Sequence, residues 1–300
     1  MSESKPTLRW GIIGTGLISS WFLHDLSIER YEAQATHHIQ ATGSSSVEKG
    51  TKFIETHLPG KTPTVYGSYE QTYQDPNVDI IYIGTPHGFH KKNCLDAIAN
   101  GKHILCEKAF TLNAKEARDQ HIESLGPESR LRDLSLGAGS LLDIGIYSLT
   151  WGLLTLDAGV GEKATTPKIA AAQSLVHGLD ITSSIILLYP DGKQGIITSN
   201  SKVKTPEAFC RIEGTEGYVV VEGVAAAPAS FTVYKGEDTE GKKYEFERPG
   251  RGFYWEADAV ALDIAAGKVE SDVMPWAETV RVLEIMDEVR RQGGAKFPQD

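Results

Sequence analysis

The stretch that decides the fold is TLRWGIIGTGLISSWFLHDL, residues 7–26, in which an apolar run leads directly into a glycine turn. Apolar side chains recur at helical spacing after this turn, and Ser19 takes the position of a third glycine or alanine. Such glycines let the backbone bend tightly and approach a pyrophosphate at the N-terminus of a helix. We predict that this segment binds a dinucleotide, the alternative being a plain tight turn, through Gly14, Thr15, Gly16, Leu17 and Ile18.

The next apolar run predicts a second strand, HHIQATG, residues 37–43. A dinucleotide fold often presents an acid to the adenosine ribose at the end of this strand, but serines follow here. Hydroxyls and a nearby cation favour a 2′-phosphate, because an acid would repel that group. The sequence therefore favours NADP over NAD, bound through Ser44, Ser45 and Lys49, while a serine-rich turn without a ligand remains the alternative.

Further strands and helices alternate after residue 60. VDIIYIG (78–84) and the start of GKHILCEKAF (101–110) read as buried strands, and HKKNCLDAIANG (90–101) reads as a helix. This alternation predicts an α/β Rossmann domain with a parallel, doubly wound sheet. Ligands collect beyond the carboxyl ends of such strands, which adds to the predicted cofactor site Thr85, Pro86, His87, His90, Glu107 and Lys108.

Short β-rich runs separated by glycine turns fill the second half of the chain, and two amphipathic helical patterns end it. The runs include KIAAAQSLV (168–176) and AFCRIEG (208–214), and the helical patterns cover 254–267 and 277–294. We predict an α+β domain with an open, mainly antiparallel sheet. The expected division is an NADP-binding Rossmann domain at 1–125 and a substrate-binding and dimerisation domain at 126–300.

Four motifs then make the chain resemble a known family. GIIGTG, TPHGFH, GKHILCEK and GAGSLLDIGIYSLTW occur in the order seen in the glucose-fructose oxidoreductase, inositol dehydrogenase and rhizopine catabolism (Gfo/Idh/MocA) family. Within that family the chain is most similar to the fungal NADP-dependent D-xylose 1-dehydrogenases and the dimeric dihydrodiol dehydrogenases. The resemblance implies a homodimer and a lysine, Lys108, beside the nicotinamide. Ala109 stands where the family has a proline.

The chemistry implied needs a base, because an alcohol that loses a hydride must also lose its hydroxyl proton. On a helix, Asp143 and Tyr147 share a face, so both are expected to point into one cleft toward Lys108. A nearby ammonium lowers a tyrosine pKa and favours the phenolate. We assign Tyr147 as general base, Lys108 as its electrostatic support and Asp143 as a substrate hydroxyl acceptor. Which of the lysine and the tyrosine transfers the proton stays open.

The function expected from these features is hydride transfer from a sugar anomeric carbon to NADP, giving the lactone, as in D-xylose 1-dehydrogenase. One alternative is a trans-1,2-dihydrodiol dehydrogenase, since sugar and diol both offer an alcohol beside a second hydroxyl. A third is an NADP-binding regulatory protein without catalysis. It is favoured by an apparent internal deletion near residues 119–127, where a sixth Rossmann strand is not visible and relatives carry several dozen more residues.

Charge and composition bear on the binding partners and the location to be expected. The net charge of −10 would repel nucleic acid and anionic membranes. Cys94, Cys106 and Cys210 are too few and too scattered for a disulfide framework, and the polar amino terminus does not resemble a signal peptide. A cytoplasmic enzyme with a small sugar or diol substrate is expected. His57 and His177 have no neighbouring ligands in the sequence, so no metal is predicted.

Overall fold

The computed structural model describes residues 5–108, 134–298 and 300. They form two compact units, the first containing residues 5–108 and 249–272 and the second containing the other described residues. The described strands are β1 (Thr7–Ile13), β2 (Thr36–Gly43), β3 (Thr64–Tyr66), β4 (Ile80–Ile83), β5 (His103–Cys106), β6 (Lys168–Val176), β7 (Leu179–Leu188), β8 (Gln194–Asn200), β9 (Ala208–Gly214), β10 (Gly217–Val224), β11 (Ala227–Lys235) and β12 (Lys242–Glu245).

Along the sequence, the first four described helices alternate with the first five strands, one further helix precedes β6, and two follow β12. They are α1 (Leu17–Leu26), α2 (Val47–His57), α3 (Tyr69–Gln74), α4 (His90–Ala99), α5 (Ile146–Leu156), α6 (Phe253–Ala265) and α7 (Trp276–Gly293). A π-helical turn, Leu141–Gly145, runs directly into α5. None of these helices is both long enough and apolar enough to cross a bilayer.

The first unit is built on a parallel sheet with the strand order β3-β2-β1-β4-β5. Its two faces are both buried: Trp10, Ile12 and Tyr82 pack on one side, and Ile13, Ile81 and Ile83 on the other. Successive strand residues point to opposite faces, so a sheet covered on both sides needs continuous apolar runs. The predicted Rossmann architecture is thereby confirmed. The order reverses between β1 and β4, which is where such folds bind ligands.

Helix α6 packs in the first unit, although the sequence places it in the second domain. Ala257 and Ala261 are fully buried in the same core as Phe22 of α1. The Asp25 carboxylate accepts hydrogen bonds from the backbone N–H groups of Arg251 (2.8 Å) and Phe253 (3.0 Å), at the start of α6. The second unit therefore does not run unbroken from 126 to 300. The predicted boundary near residue 125 lies outside the described residues.

A buried charge network also ties α6 to the parallel sheet. Arg30 donates two hydrogen bonds of 3.0 Å to Asp258 of α6, and His37 Nε2 lies 3.0 Å from the same carboxylate. Trp10 Nε1 donates to His37 Nδ1 at 3.1 Å, so the ring proton of His37 is on Nε2 and is donated to Asp258. Burial lowers the pKa of His37 despite its bond to Asp258, which leaves Arg30 as the cation of the network.

The second unit contains two antiparallel sheets, β6-β7-β8 and β12-β11-β10-β9. In β7, Ile185 and Leu187 point inward with at most 1% exposure, whereas the alternate Ile186 and Leu188 are exposed. Helix α7 lies against β6, where the Gln292 side chain bonds to backbone groups of the strand. This matches the expected mainly antiparallel domain. The apparent deletion near 119–127 falls outside the described residues.

Candidate dinucleotide and substrate site

The glycine turn between β1 and α1 has a backbone that only glycine tolerates easily. Gly14 has a φ of +86°, and a Cβ there would lie 2.7 Å from the Gly84 carbonyl oxygen. Gly16 is the N-cap of α1 and offers no side-chain cap, and a Cβ on it would meet no atom within 4 Å. The turn therefore presents unshielded N–H groups at a helix N-terminus to open space. That arrangement suits a pyrophosphate.

Close packing beneath the turn involves the third position of the glycine motif. Ser19 is fully buried on α1, and a Cβ added to Gly84 would lie 2.2 Å from its hydroxyl oxygen. Small residues on both sides thus let α1 approach the end of β4. This is the packing role of the third glycine in dinucleotide motifs, here shared between Ser19 and Gly84. Of the other predicted residues of this segment, Ile18 is 7% exposed and Leu17 38%.

The end of β2 lies next to the glycine turn. The hydroxyls of Ser44 and Thr15 are 3.4 Å apart, and Ser44 is 1% exposed. Ser45 and Lys49 are exposed to solvent, and Ser46 caps α2 by accepting a hydrogen bond from the Lys49 N–H. No carboxylate occupies the two positions that follow β2, where Ser44 and Ser45 stand. The exposed hydroxyl and ammonium could hold a 2′-phosphate, which supports the predicted cofactor selectivity.

The loop after β4 is held from below by two side chains of α4. Thr85 is buried; its hydroxyl accepts from Asn93 Nδ2 at 2.9 Å, and its carbonyl oxygen accepts from His90 Nε2. Burial lowers the pKa of His90 to about 4, so its ring is neutral at pH 7. These bonds give His90 a supporting role beneath Thr85. Pro86 and His87, which are half-buried in the following turn, keep the cofactor role only as a prediction.

Glu107 and Lys108 follow β5. Tyr82 Oη donates to Glu107 Oε1 at 2.5 Å, and the Lys108 backbone N–H donates to Glu107 Oε2 at 3.2 Å. Burial is the main cause of the raised pKa of Glu107, which those hydrogen bonds oppose. The Tyr82 ring stacks on Phe22 with centroids 3.8 Å apart. Glu107 therefore fixes the backbone from which the Lys108 side chain projects, an arrangement that sequence reasoning missed.

The predicted substrate residues Asp143 and Tyr147 lie in the second unit, whereas Lys108 lies in the first. Asp143 is 5% exposed within the π-helical turn, and Tyr147 is half-buried in the first turn of α5. The sequence predicts one α-helix through both positions. Instead, Asp143 lies in a turn with i to i+5 bonds and Tyr147 in the α-helix that follows it. Their catalytic roles remain predictions.

His57 belongs to the first unit and His177 to the second. His177 has a φ of +52° in the tight turn between β6 and β7, and the His57 ring packs near Phe53 at 4.9 Å between centroids. Nowhere in 5–108 or 134–298 do three or more His, Cys, Asp or Glu side chains converge on a point that could hold a metal ion. All three cysteines are free thiols.

Comparison with known proteins places the chain among dehydrogenases. Residues 8–123 match the sequence model of an oxidoreductase family with an NAD-binding Rossmann fold. D-xylose 1-dehydrogenase (NADP(+)) of Hypocrea jecorina is 30% identical, and the alignment covers all of this chain and 95% of that enzyme. Trans-1,2-dihydrobenzene-1,2-diol dehydrogenase of Sus scrofa is 29% identical over 98% of this chain and 99% of that protein.

Solved structures share the fold at lower identity. A levoglucosan dehydrogenase has a TM-score of 0.76 at 15% identity, covering 98% of this chain and 100% of that one. An aldose-aldose oxidoreductase from Caulobacter crescentus has a TM-score of 0.72 at 20% identity, covering 97% and 98%. The alignment with the Hypocrea enzyme spans 377 positions, more than the 300 residues of this chain. That relative therefore has residues without a counterpart here.

Proposed function

This chain belongs to the Gfo/Idh/MocA family of oxidoreductases, and we propose that it is an NADP-dependent dehydrogenase of a cyclic aldose. D-xylose is the proposed substrate, oxidised at the anomeric carbon to the lactone. The relative from Hypocrea supports both the sugar and the cofactor. The observation that carries the proposal is the open glycine turn, at the same sheet edge as Lys108 at the end of β5.

The described residues fit the cofactor. The N–H groups at the start of α1 would hold the pyrophosphate above Gly16, where open space is present. Ser45 and Lys49 would bind the 2′-phosphate, and Thr85 would line the path toward the nicotinamide. When bound, NADP accepts a hydride on its nicotinamide ring.

The protein must remove the hydroxyl proton of the sugar as the hydride leaves. We assign that proton transfer to the Tyr147 phenol, with the Lys108 ammonium stabilising the phenolate form. Asp143 would accept a hydrogen bond from a neighbouring sugar hydroxyl. Glu107 contributes indirectly, because it holds the Lys108 backbone through a 3.2 Å hydrogen bond.

The test uses the purified full-length chain in two stages. NADPH is first titrated while its fluorescence is followed, and NADP with D-xylose is then monitored at the NADPH absorbance. We expect saturable binding and steady turnover with xylose. Binding without turnover on xylose or a trans-dihydrodiol would contradict the dehydrogenase proposal and favour the regulatory alternative.

A dihydrodiol substrate is the second candidate, because the mammalian relative acts on one. The same assay separates the two when trans-1,2-dihydrobenzene-1,2-diol replaces xylose. A higher kcat/KM for the diol than for the sugar would reject xylose and retain the dehydrogenase chemistry. Absence of NADPH binding would reject every version of the proposal.

We expect Lys49→Glu to weaken NADP binding by about tenfold while leaving NAD affinity within about twofold, since only NADP carries the 2′-phosphate. The measurement is the dissociation constant of each cofactor by fluorescence titration. Lys52→Glu is the matched control, because Lys52 is exposed one turn further along the same helix. An equal loss for both cofactors, or the same loss in the control, would remove Lys49 from the phosphate site.

The proposed homodimer rests on an apolar outer face of the β6-β7-β8 sheet. Ala170, Ile186 and Ile196 are paired across the three strands and all are exposed, Ile196 by 73%. Water-exposed apolar side chains in a row are typical of protein interfaces. We expect Ile196→Lys to convert a dimer into a monomer in light scattering after gel filtration. Lys202→Glu should not, because Lys202 follows the last strand of this sheet and lies outside the apolar row. A wild-type monomer would contradict the proposal.

We also propose a cytoplasmic location. The three free thiols support it, because reduced cysteines persist in reducing compartments. Fractionation of the native cells with detection of the untagged chain would decide the compartment.

A further inference from the structure

A buried aspartate of β7 contacts the turn that carries Asp143. Asp180 is 2% exposed, and its Oδ2 accepts a 2.6 Å hydrogen bond from the Leu141 backbone N–H, the first residue of the π-helical turn. Ser183 Oγ donates to the same oxygen at 3.3 Å. The N–H groups of a helix's first turn have no partner within the helix. Asp180 therefore supplies from another element the acceptor that the turn itself lacks.

The chain before the turn is shaped around this carboxylate. Gly139 has a φ of +137°, and a Cβ there would lie 2.0 Å from Asp180 Oδ1. Only glycine permits so close an approach. Gly139 of GAGSLLDIG thus lets the chain pass close to the Asp180 carboxylate, a role that the motif alone does not reveal.

Strand β8 also lies against this turn. Ser140 Oγ donates to Ser199 Oγ at 2.9 Å, and a Cβ on Gly145 would lie 3.1 Å from the same Ser199 oxygen. Gly145 ends the π turn, and Tyr147 follows two residues later in α5. Hydrogen bonds to β7 and β8 consequently hold the chain just before Asp143, and Ser199 of β8 packs closely against Gly145 after it.

Stability alone does not account for an acid at this position. Burial raises the pKa of Asp180 to about 7, and the hydrogen bonds from Leu141 and Ser183 oppose that rise only in part. A carboxylate taken out of water costs free energy unless it is paired. The charge of Arg290 also lowers this pKa, but the described hydrogen bonds of Asp180 come from neutral donors, the Leu141 N–H and the Ser183 hydroxyl. An acid at this position is better explained by the backbone of the π turn, which it holds through the Leu141 N–H.

We propose that Asp180 is a positioning residue: by accepting the Leu141 N–H it fixes the π turn and so sets the backbone from which Asp143 and Tyr147 project. The inference rests on the catalytic roles proposed for those two residues. Its consequence is that losing the acceptor lowers turnover without weakening cofactor binding, since the glycine turn lies in the other unit.

The test compares Asp180→Ala with Asp180→Asn, whose amide oxygen can still accept the Leu141 N–H. We expect kcat for xylose to fall about 10- to 100-fold in the alanine variant, as for a misplaced catalytic group, and to stay within about threefold in the asparagine variant. The KM for NADP should stay within about twofold in both. A folded alanine variant with the wild-type kcat would overturn the proposal, as would an asparagine variant as slow as alanine.

Glu278→Ala is the matched control. Glu278 is 7% exposed in the same unit and accepts the Gly161 backbone N–H at 2.7 Å, so its loss also removes a buried carboxylate from a backbone donor. We expect a lower melting temperature and an unchanged kcat. An equal fall in kcat in this control would show that general destabilisation explains the Asp180 result, and the positioning role would be rejected.

Hydrogen exchange separates this proposal from the proposed function. The backbone N–H groups of residues 141–147 should exchange at least about tenfold faster in Asp180→Ala than in the wild type, Asp180→Asn or Glu278→Ala. If the wild-type chain turns over no substrate, the proposed function fails, and this measurement still decides whether Asp180 holds the turn. Unchanged exchange in the alanine variant would overturn the inference by itself.

Discussion

Replacing Lys108 by alanine is expected to lower kcat for xylose oxidation by about 10²-fold or more, and Tyr147→Phe by a similar factor. The lysine variant loses the cation that favours the phenolate, and the phenylalanine variant loses the proton acceptor itself. The measurement is steady-state kcat with NADP, accompanied by the dissociation constant of NADPH for each variant. NADPH affinity should change far less than turnover in Tyr147→Phe, because its loss removes only the phenol oxygen.

Two further measurements sharpen this prediction. If the phenol is the general base, the increase of kcat toward alkaline pH seen in the wild type should be lost in Tyr147→Phe. If the lysine transfers the proton, that increase should persist in this variant. Lys92→Ala is the matched control, since Lys92 is an exposed lysine of the same unit paired only with Asp96 on α4 among its described contacts. Wild-type rates in both site variants would reject the assigned site.

The largest expected effect on stability comes from Asp258→Ala. This change leaves Arg30 and His37 buried, at 9% and 5% side-chain exposure, without their shared carboxylate. Removing one partner of a buried ion pair costs about 3–5 kcal/mol, so we expect the free energy of unfolding of the first unit to fall by that amount. Urea denaturation followed by circular dichroism measures it, with NADPH binding reporting the first unit.

Helix α6 offers the control for this experiment. Asp263 pairs at 3.0 Å with Lys268, which lies just after the end of the helix, but the Lys268 side chain is 41% exposed, and such surface pairs contribute at most about 1 kcal/mol. Asp263→Ala should therefore leave the unfolding midpoint nearly unchanged. If the two variants lost equal stability, helix propensity or general damage to α6 would explain the result, and the buried network would not.

The same network predicts a pH dependence. Burial would raise the pKa of Asp258, but the hydrogen bonds from Arg30, His37 and the Gln34 N–H outweigh it and lower that pKa below its usual range. A lowered carboxyl pKa contributes stability that is present above the unfolded pKa of about 4 and is lost as pH falls through the folded value. Asp258→Asn should show a shallower loss of stability with acid than the wild type.

Local sequence patterns were sufficient to predict most of the strands and helices. The predicted strands 168–176 and 208–214 coincide with β6 and β9, and the glycine motif lies between β1 and α1 as expected. Alternation, apolar runs and glycine spacing are properties of neighbouring residues, and the burial of one strand face is enough to produce them. The parallel sheet and the candidate cofactor residues at its edge followed from the same local signals.

Contacts between distant residues were not predictable in this way. Helix α6 joins the first unit through Asp258, more than 220 positions from Arg30 and His37, and no local pattern records such a pairing. Asp180 is an acid within the largely apolar strand LDITSSIILL, and this was the sequence signal that could have singled it out. Its partner Leu141 is 39 positions away, so the contact itself could not be predicted. The bond to Glu107 from Tyr82 likewise joins β4 to the residue that follows β5.

The sequence by itself determined the family, the two sheet types and the glycine turn, because each depends on residue order over short distances. Only the tertiary structure decided that α6 belongs with the parallel sheet and that a π turn held by Asp180 replaces the expected regular helix at Asp143. Buried polar groups must find partners wherever the chain brings them, and those partners are set by packing across the fold.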